Sequence, residues 1–181
     1  MSLILNFSSL TTGTQNTPSN LQTNSVTTAK AYLYLEDANG QVKGDSKVGS
    51  IQRADTIEVL SVSTDAYLPG NNPSAKKQYR PLVFTKLLDR STAELFNDFV
   101  TSAPIVTANF RFFHALQSGQ EVEYYNIEVT QGGFISSIRT FTMYDANGNP
   151  FQAEEVALGY SELQITNLET SVVAIITVGN A

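Results

Sequence analysis

The feature that most constrains this chain is how its apolar residues are spaced. Almost everywhere they alternate with polar ones in short runs cut by turn residues, and only one run has helical spacing. Ala31–Glu36 is rich in Tyr and Leu and stops at Asp37-Ala38-Asn39-Gly40. Asn-Gly is a strong hairpin signal, since both residues tolerate the positive φ of a type I′ turn. The same tetrapeptide returns at Asp145–Gly148, so two hairpins are expected. Ile57, Val59 and Ser61 oppose Glu58, Leu60 and Val62 across a strand that is apolar enough on both faces to want cover on both. Val106, Ala108, Phe110 and Phe112 form one face of the next strand, and Tyr125, Ile127 and Val129 one face of its successor. Gly132-Gly133 breaks the pattern before Phe134–Thr142. Val156, Leu158 and Tyr160 share a phase that Leu163 and Ile165 do not, which predicts a bulge or bend near Ser161-Glu162. Thr170–Val178 is the last strand.

The single helical run opens with Ser91-Thr92-Ala93-Glu94, the pattern of a capping box. Leu95, Phe96, Phe99 and Val100 follow as an apolar stripe, and Pro104 limits its extent. The expected fold is mainly β: a small antiparallel β-barrel of two packed sheets with one short amphipathic α-helix.

Charge divides the chain. Residues 1–29 carry no charged side chain, all eleven Lys and Arg lie between Lys30 and Arg139, and residues 140–181 hold five acids and no base. The segment 1–29 reads as a flexible neutral arm and 30–181 as the folded domain, because Ser8–Thr28 is mostly Ser, Thr, Asn and Gln and offers little apolar surface to offset ordering. Within the arm, Leu3–Phe7 is apolar enough to form a strand or to dock on a neighbour. The net charge of −6 opposes binding to phosphate backbones, so nucleic acid is not an expected partner. No apolar run is long enough to span a membrane as a helix, and Met1–Asn6 lacks the basic start of a secretory signal.

Chemistry-bearing motifs are scarce. The chain has no Cys and one His, which removes disulfides, thiolate nucleophiles and His-rich metal sites. His114 follows Phe110, Phe112 and Phe113 at a strand end and reads as a polar cap. Gly159-Tyr160-Ser161-Glu162-Leu163 starts like a nucleophile elbow but closes on Leu instead of Gly. Asp37–Gln41 opens like a calcium loop, yet the sixth position, where the sharp turn needs Gly, is Val42. Glu121, Glu123 and Glu128 lie along one strand as solvated acids rather than a glycosidase pair. No catalytic, metal or cofactor-binding residue is assigned, and no enzyme activity is expected.

An ordered series of segments carries more. Pro81-Leu82-Val83-Phe84-Thr85-Lys86 is followed by Asp89-Arg90-Ser91 and the helix with Phe96 and Phe99. Then come Phe110-Arg111-Phe112, Tyr125-Asn126-Ile127 and Ile135-Ser136-Ser137-Ile138. Taken in order, this series resembles the haemolysin-coregulated protein (Hcp) family of type VI secretion systems. The likeness runs from about Ala31 to Leu168. It implies a phage tail-tube-like barrel and a homo-hexameric ring. Rings would stack into the inner tube of a contractile injector, with spike, sheath and baseplate proteins as partners and effectors in the lumen. It further implies assembly in the bacterial cytoplasm and release without a Sec signal.

The resemblance also assigns a role to the loop before Pro81. Tyr67, Leu68, Pro69, Gly70, Asn71, Asn72, Lys76 and Lys77 would reach the adjacent ring, and the Pro, Gly and Asn content suits an exposed loop. The stretch Ile57–Val62 lacks the Trp common in the family, the loop is poorer in Gly, and the ends of the chain lie outside the pattern. The competing readings are a tail-tube protein of a phage-derived extracellular injector, a monomeric β-sandwich that binds a ligand, and a hydrolase on a β scaffold.

Overall fold

A computed structural model describes residues 2–6 and 30–178. The expected mobility of residues 8–28 therefore lies outside the described residues. The strands are β1 (Ser2–Asn6), β2 (Lys30–Asp37), β3 (Gly40–Val42), β4 (Ile57–Tyr67), β5 (Gln78–Tyr79) and β6 (Leu82–Leu87). After the helix α1 (Thr92–Thr101) come β7 (Pro104–Ala115), β8 (Glu121–Gln131), β9 (Gly133–Tyr144), β10 (Pro150–Gly159), β11 (Glu162–Asn167) and β12 (Val172–Thr177). Every pairing is antiparallel.

The pairings close on themselves. Strand β7 joins β2, β2 joins β4, β4 joins β6, β6 joins β10, β10 joins β9, and β9 returns to the start of β7 at Ile105↔Gly133. This is a barrel, which removes most of the exposed edges an open sheet would carry. Strands β8, β11 and β12 extend the sheet from β7 as a side wing. The interior is apolar: Leu33, Leu35, Ile57, Leu82, Phe84, Phe110, Phe112, Val156 and Leu158 are all buried. Phe84 meets Phe110 edge-on at 5.3 Å.

Bulges account for the differences from simple alternation. In β4 the register on β6 slips between Val59 and Ser61, so Ile57, Val59 and Val62 are the buried residues and Glu58 is exposed. One face flips inward at the bulge, and the apolar residues on both faces need no second layer. In β7 the register on β2 slips opposite Glu36/Asp37, and Val106 is thrown outward while Ile105 goes in. The break expected near Ser161-Glu162 is present as the end of β10 and the start of β11, with a slip against β8 at Glu162/Leu163.

Both Asp-Ala-Asn-Gly segments are hairpin turns, but not of type I′. Only Gly40 (φ 127°) and Gly148 (φ 82°) have positive φ; Asn39 and Asn147 do not. Each Asp organises its own turn instead. Asp37 Oδ1 accepts from the amides of Asn39 (2.7 Å) and Gly40 (2.9 Å), and Asp145 Oδ1 from that of Asn147 (2.8 Å).

The helix starts differently from the expected capping box. Ser91 already has helical angles, makes no cap, and points its hydroxyl at Asp89 Oδ1 (2.5 Å). Asp89 is the capping side chain: its Oδ1 accepts the Ser91 amide (2.9 Å), while Thr92 Oγ1 accepts the Asp89 amide (3.1 Å). The buried side of α1 is Leu95 and Asp98; Phe96 is half-buried, and Phe99 and Val100 are exposed at 40% and 77%.

Candidate assembly surfaces

The segments singled out in the sequence lie on β6, β7, β8 and β9 and at the start of α1, spread around the barrel wall. Leu82, Phe84 and Lys86 of β6 share the inward phase, with Pro81 exposed and Thr85 half-buried. β6 pairs with β10, and β10 with β9, which sets Ser137 opposite Ala157; Ser136 and Ser137 point to solvent. The Ser136 hydroxyl donates to Ala157 O (3.0 Å). Phe110, Phe112 and Ile127 are buried, and Tyr125 packs edge-on against Phe112 at 5.8 Å.

Lys86 is the most informative of these residues. Its side chain is wholly buried, and its Nζ lies 2.7 Å from Asp89 Oδ1 and 2.5 Å from Glu154 Oε1. It also donates to Leu87 O (2.8 Å) and Thr92 Oγ1 (3.2 Å). One ammonium therefore ties β6, the start of α1 and β10 together. Taking these charges out of water is costly, and the two carboxylates and two further acceptors are what make it tolerable. Glu154 was not singled out in the sequence, although it shares its phase with Val156 and Leu158, an inward position for an acid.

A second cationic anchor is Arg53, also unmarked in the sequence. Its guanidinium lies over the adjoining rings of Tyr32 (5.1 Å) and Phe113 (4.4 Å) and pairs with Glu121 at 2.7 Å. Arg53 holds the Glu121 carboxyl below its ordinary pKa by hydrogen bonding. Arg111 pairs with Glu123 at 2.6 Å. Two of the three strand acids considered above are thus partners of buried or half-buried arginines. His114 stacks on Tyr124 at 4.9 Å, with Nε2 3.9 Å from Glu169 Oε1.

Asp98 of α1 is 1% exposed. Its carboxyl is pushed up to about 6, first by burial and then by the negative charge of the buried Asp37.

The loop beyond β4 is an exposed projection. Its base is pinned by Ala66↔Tyr79 and Tyr67↔Gln78, with the Tyr67 hydroxyl donating to Gln78 Oε1 (3.0 Å). Arg80 covers the Tyr67 ring at 5.3 Å. Leu68 and Pro69 are half-buried; Gly70, Asn72, Lys76 and Lys77 are exposed. Asn71 lies in the short 3-10 turn Pro69–Asn71. Apolar side chains also face outward on the barrel: Val106 and Phe134 at the end where β7 meets β9, Leu87 and Leu88 before α1, and Val172, Val173 and Ile175 on β12. Within each of these places two or three large apolar groups are exposed close together in sequence or across a strand pair.

A family profile described as "Type VI secretion system effector, Hcp" matches residues 32–166, from β2 nearly to the end of β11. The chain belongs to the Hcp family. Among solved structures, Hcp1 of E. coli EAEC 042 in double-mutant form is 25% identical, with a TM-score of 0.69 over 82% of this chain and 98% of that one. A structure titled simply Hcp protein has a TM-score of 0.75 at 15% identity, covering 84% of this chain and 99% of its own. Secreted protein Hcp3 from Pseudomonas aeruginosa scores 0.68 at 15% identity, with coverage of 84% and 99%. A search of curated proteins finds no match. As an Hcp, this protein is a tube subunit of type VI secretion. The family match begins after β1 and stops before β12.

Proposed function

We propose that six copies of this protein close into a ring and that rings stack to form the inner tube of a contractile injector. The tube holds effectors in its lumen, docks on spike, sheath and baseplate proteins, and is expelled with its cargo after assembly in the cytoplasm. Its role is structural, not catalytic. The observation that carries this reading is that the Hcp match coincides with the closed barrel. The outward-facing Val106, Phe134 and helix residue Val100 support it, since heterologous contacts between like subunits would cover them. Among the described residues no helix is long and apolar enough to cross a membrane.

Within that tube, the loop carrying Tyr67–Asn72, Lys76 and Lys77 reaches the next ring. The residues Pro81, Leu82, Phe84, Thr85, Lys86, Asp89, Ser91, Phe96, Phe99, Phe110, Phe112, Tyr125, Ile127, Ser136 and Ser137 build the wall that presents it. The test is native mass spectrometry of the full chain at near-physiological salt, beside a variant with residues 69–77 replaced by a short turn. Hexamers from both, with stacked species from the parent alone, are expected. A dominant monomer of the parent chain at micromolar concentration overturns the tube reading in favour of a ligand-binding module. Stacking by the loop variant overturns the role of the loop.

A further inference from the structure

The register of β1 and β2 on β4 is unusual. Asn6 lies opposite Ser61, and Ala31 lies opposite Val59. Both strands run antiparallel to β4, on consecutive stretches of it, so the end of β1 and the start of β2 fall next to each other along one line. A single strand step would join them, yet residues 7–29 lie between. A chain of that length can extend roughly 75 Å, several times what pairing with its own β4 requires. Loop closure over such a length costs little more than over a shorter one, so the linker leaves both its own β4 and that of an adjoining copy within reach.

The pairing is also separable from the rest of the fold. Among the described residues, β4 is the only strand that pairs with β1. Without β1, the stretch Ser61–Asp65 of β4 presents free backbone donors and acceptors on this edge, a ready template for an added strand. Ser2-Leu3-Ile4-Leu5-Asn6 is uncharged and apolar at its centre, suited to such an edge. Strand β1 lies outside the stretch matched by the Hcp family, whereas its partner β4 lies within it.

We propose that β1 is a donor strand: in the assembly it pairs with Ser61–Asp65 of a neighbouring copy, in the register seen here within one chain. Each subunit gives one strand and receives one, so the exchange closes with the ring. The occupant is a second copy of this chain. The proposal rests on the ring reading above, and links its subunits beyond their side-chain contacts.

The absence of cysteine makes the test clean. Ile4 and Ser63 are directly opposed. One chain carrying Ile4→Cys and a differently tagged chain carrying Ser63→Cys are coexpressed, oxidised and run on a non-reducing gel. A disulfide joining the two tags is the expected result, because either chain alone has a single thiol. The double variant Ile4→Cys/Ser63→Cys should give a ladder of covalent multimers up to the closed ring. An internally linked monomer from the double variant, or no disulfide in either sample, overturns the proposal. Native mass spectrometry of the same samples separates the two failures: rings without cross-chain disulfides reject strand exchange alone, and monomers reject the ring as well.

Discussion

At the residue scale the buried charges decide more than the aromatic rings. Lys86 contacts two carboxylates and two neutral acceptors at once, so removing it leaves the buried Glu154 and the half-buried Asp89 without their cation. Lys86→Ala should lower the unfolding free energy by about 3–5 kcal/mol. Urea titration measures this, and a change within experimental error would show that the acids find other partners. Asp98 gives a prediction with a sign. Its folded pKa of about 6 exceeds the ordinary carboxyl value of 3.8, so the folded state binds the proton more tightly. The resulting stability is fully present below pH 3.8 and is lost as pH rises through about 6. Between pH 4 and pH 7.5 the parent should lose up to about 3 kcal/mol relative to Asp98→Asn. Parallel pH profiles for the two proteins would contradict that. Gly44 is a steric case: a Cβ there would run into the backbone of Thr56 and Ile57. Gly44→Ala should therefore lower the melting temperature by several degrees, about what 1–2 kcal/mol produces.

At the scale of elements, the helix makes its capping bonds two residues before the place the local rule predicts. Ser91-x-x-Glu94 has the form of a capping box, but Asp89-x-x-Thr92 makes the reciprocal bonds. Asp89→Ala should cost about 1 kcal/mol through the lost cap, in addition to its ion pair with Lys86. Phe99→Ala should hardly change the stability of an isolated protomer, since its ring is 40% exposed. Denaturant midpoints of the two variants check the order, and a larger loss from Phe99 would place it in the core. The strands, their turns and the ordered family segments were legible because period-two alternation and Asn-Gly turns are local. The bulges at Leu60 and Val106 were not, because a slip depends on the partner strand and the sequence carries no mark of it. The Lys86–Glu154 pair was half legible. Lys86 and Glu154 each sit in an apolar phase, but that they meet follows only from the β6–β10 pairing. Arg53 left no signal, for its aromatic neighbours come from β2 and β7.

At the scale of the whole molecule, barrel closure and exposed apolar groups point the same way. Six strands complete a ring of backbone bonds within one protomer. The side wing nevertheless ends in β12, whose Val172, Val173 and Ile175 are 62%, 51% and 61% exposed. An uncharged edge strand of this kind invites pairing unless it is covered. With only 15% charged residues in the chain, subunit contacts can be neutral and apolar while the acids stay in water. The central claim is that this barrel is a ring-forming unit, and negative-stain electron microscopy of the purified full chain tests it most directly. The account predicts six-fold rings with a central hole, alone or in short stacks. Uniform small particles without a hole, at concentrations where the protein is folded, would contradict it.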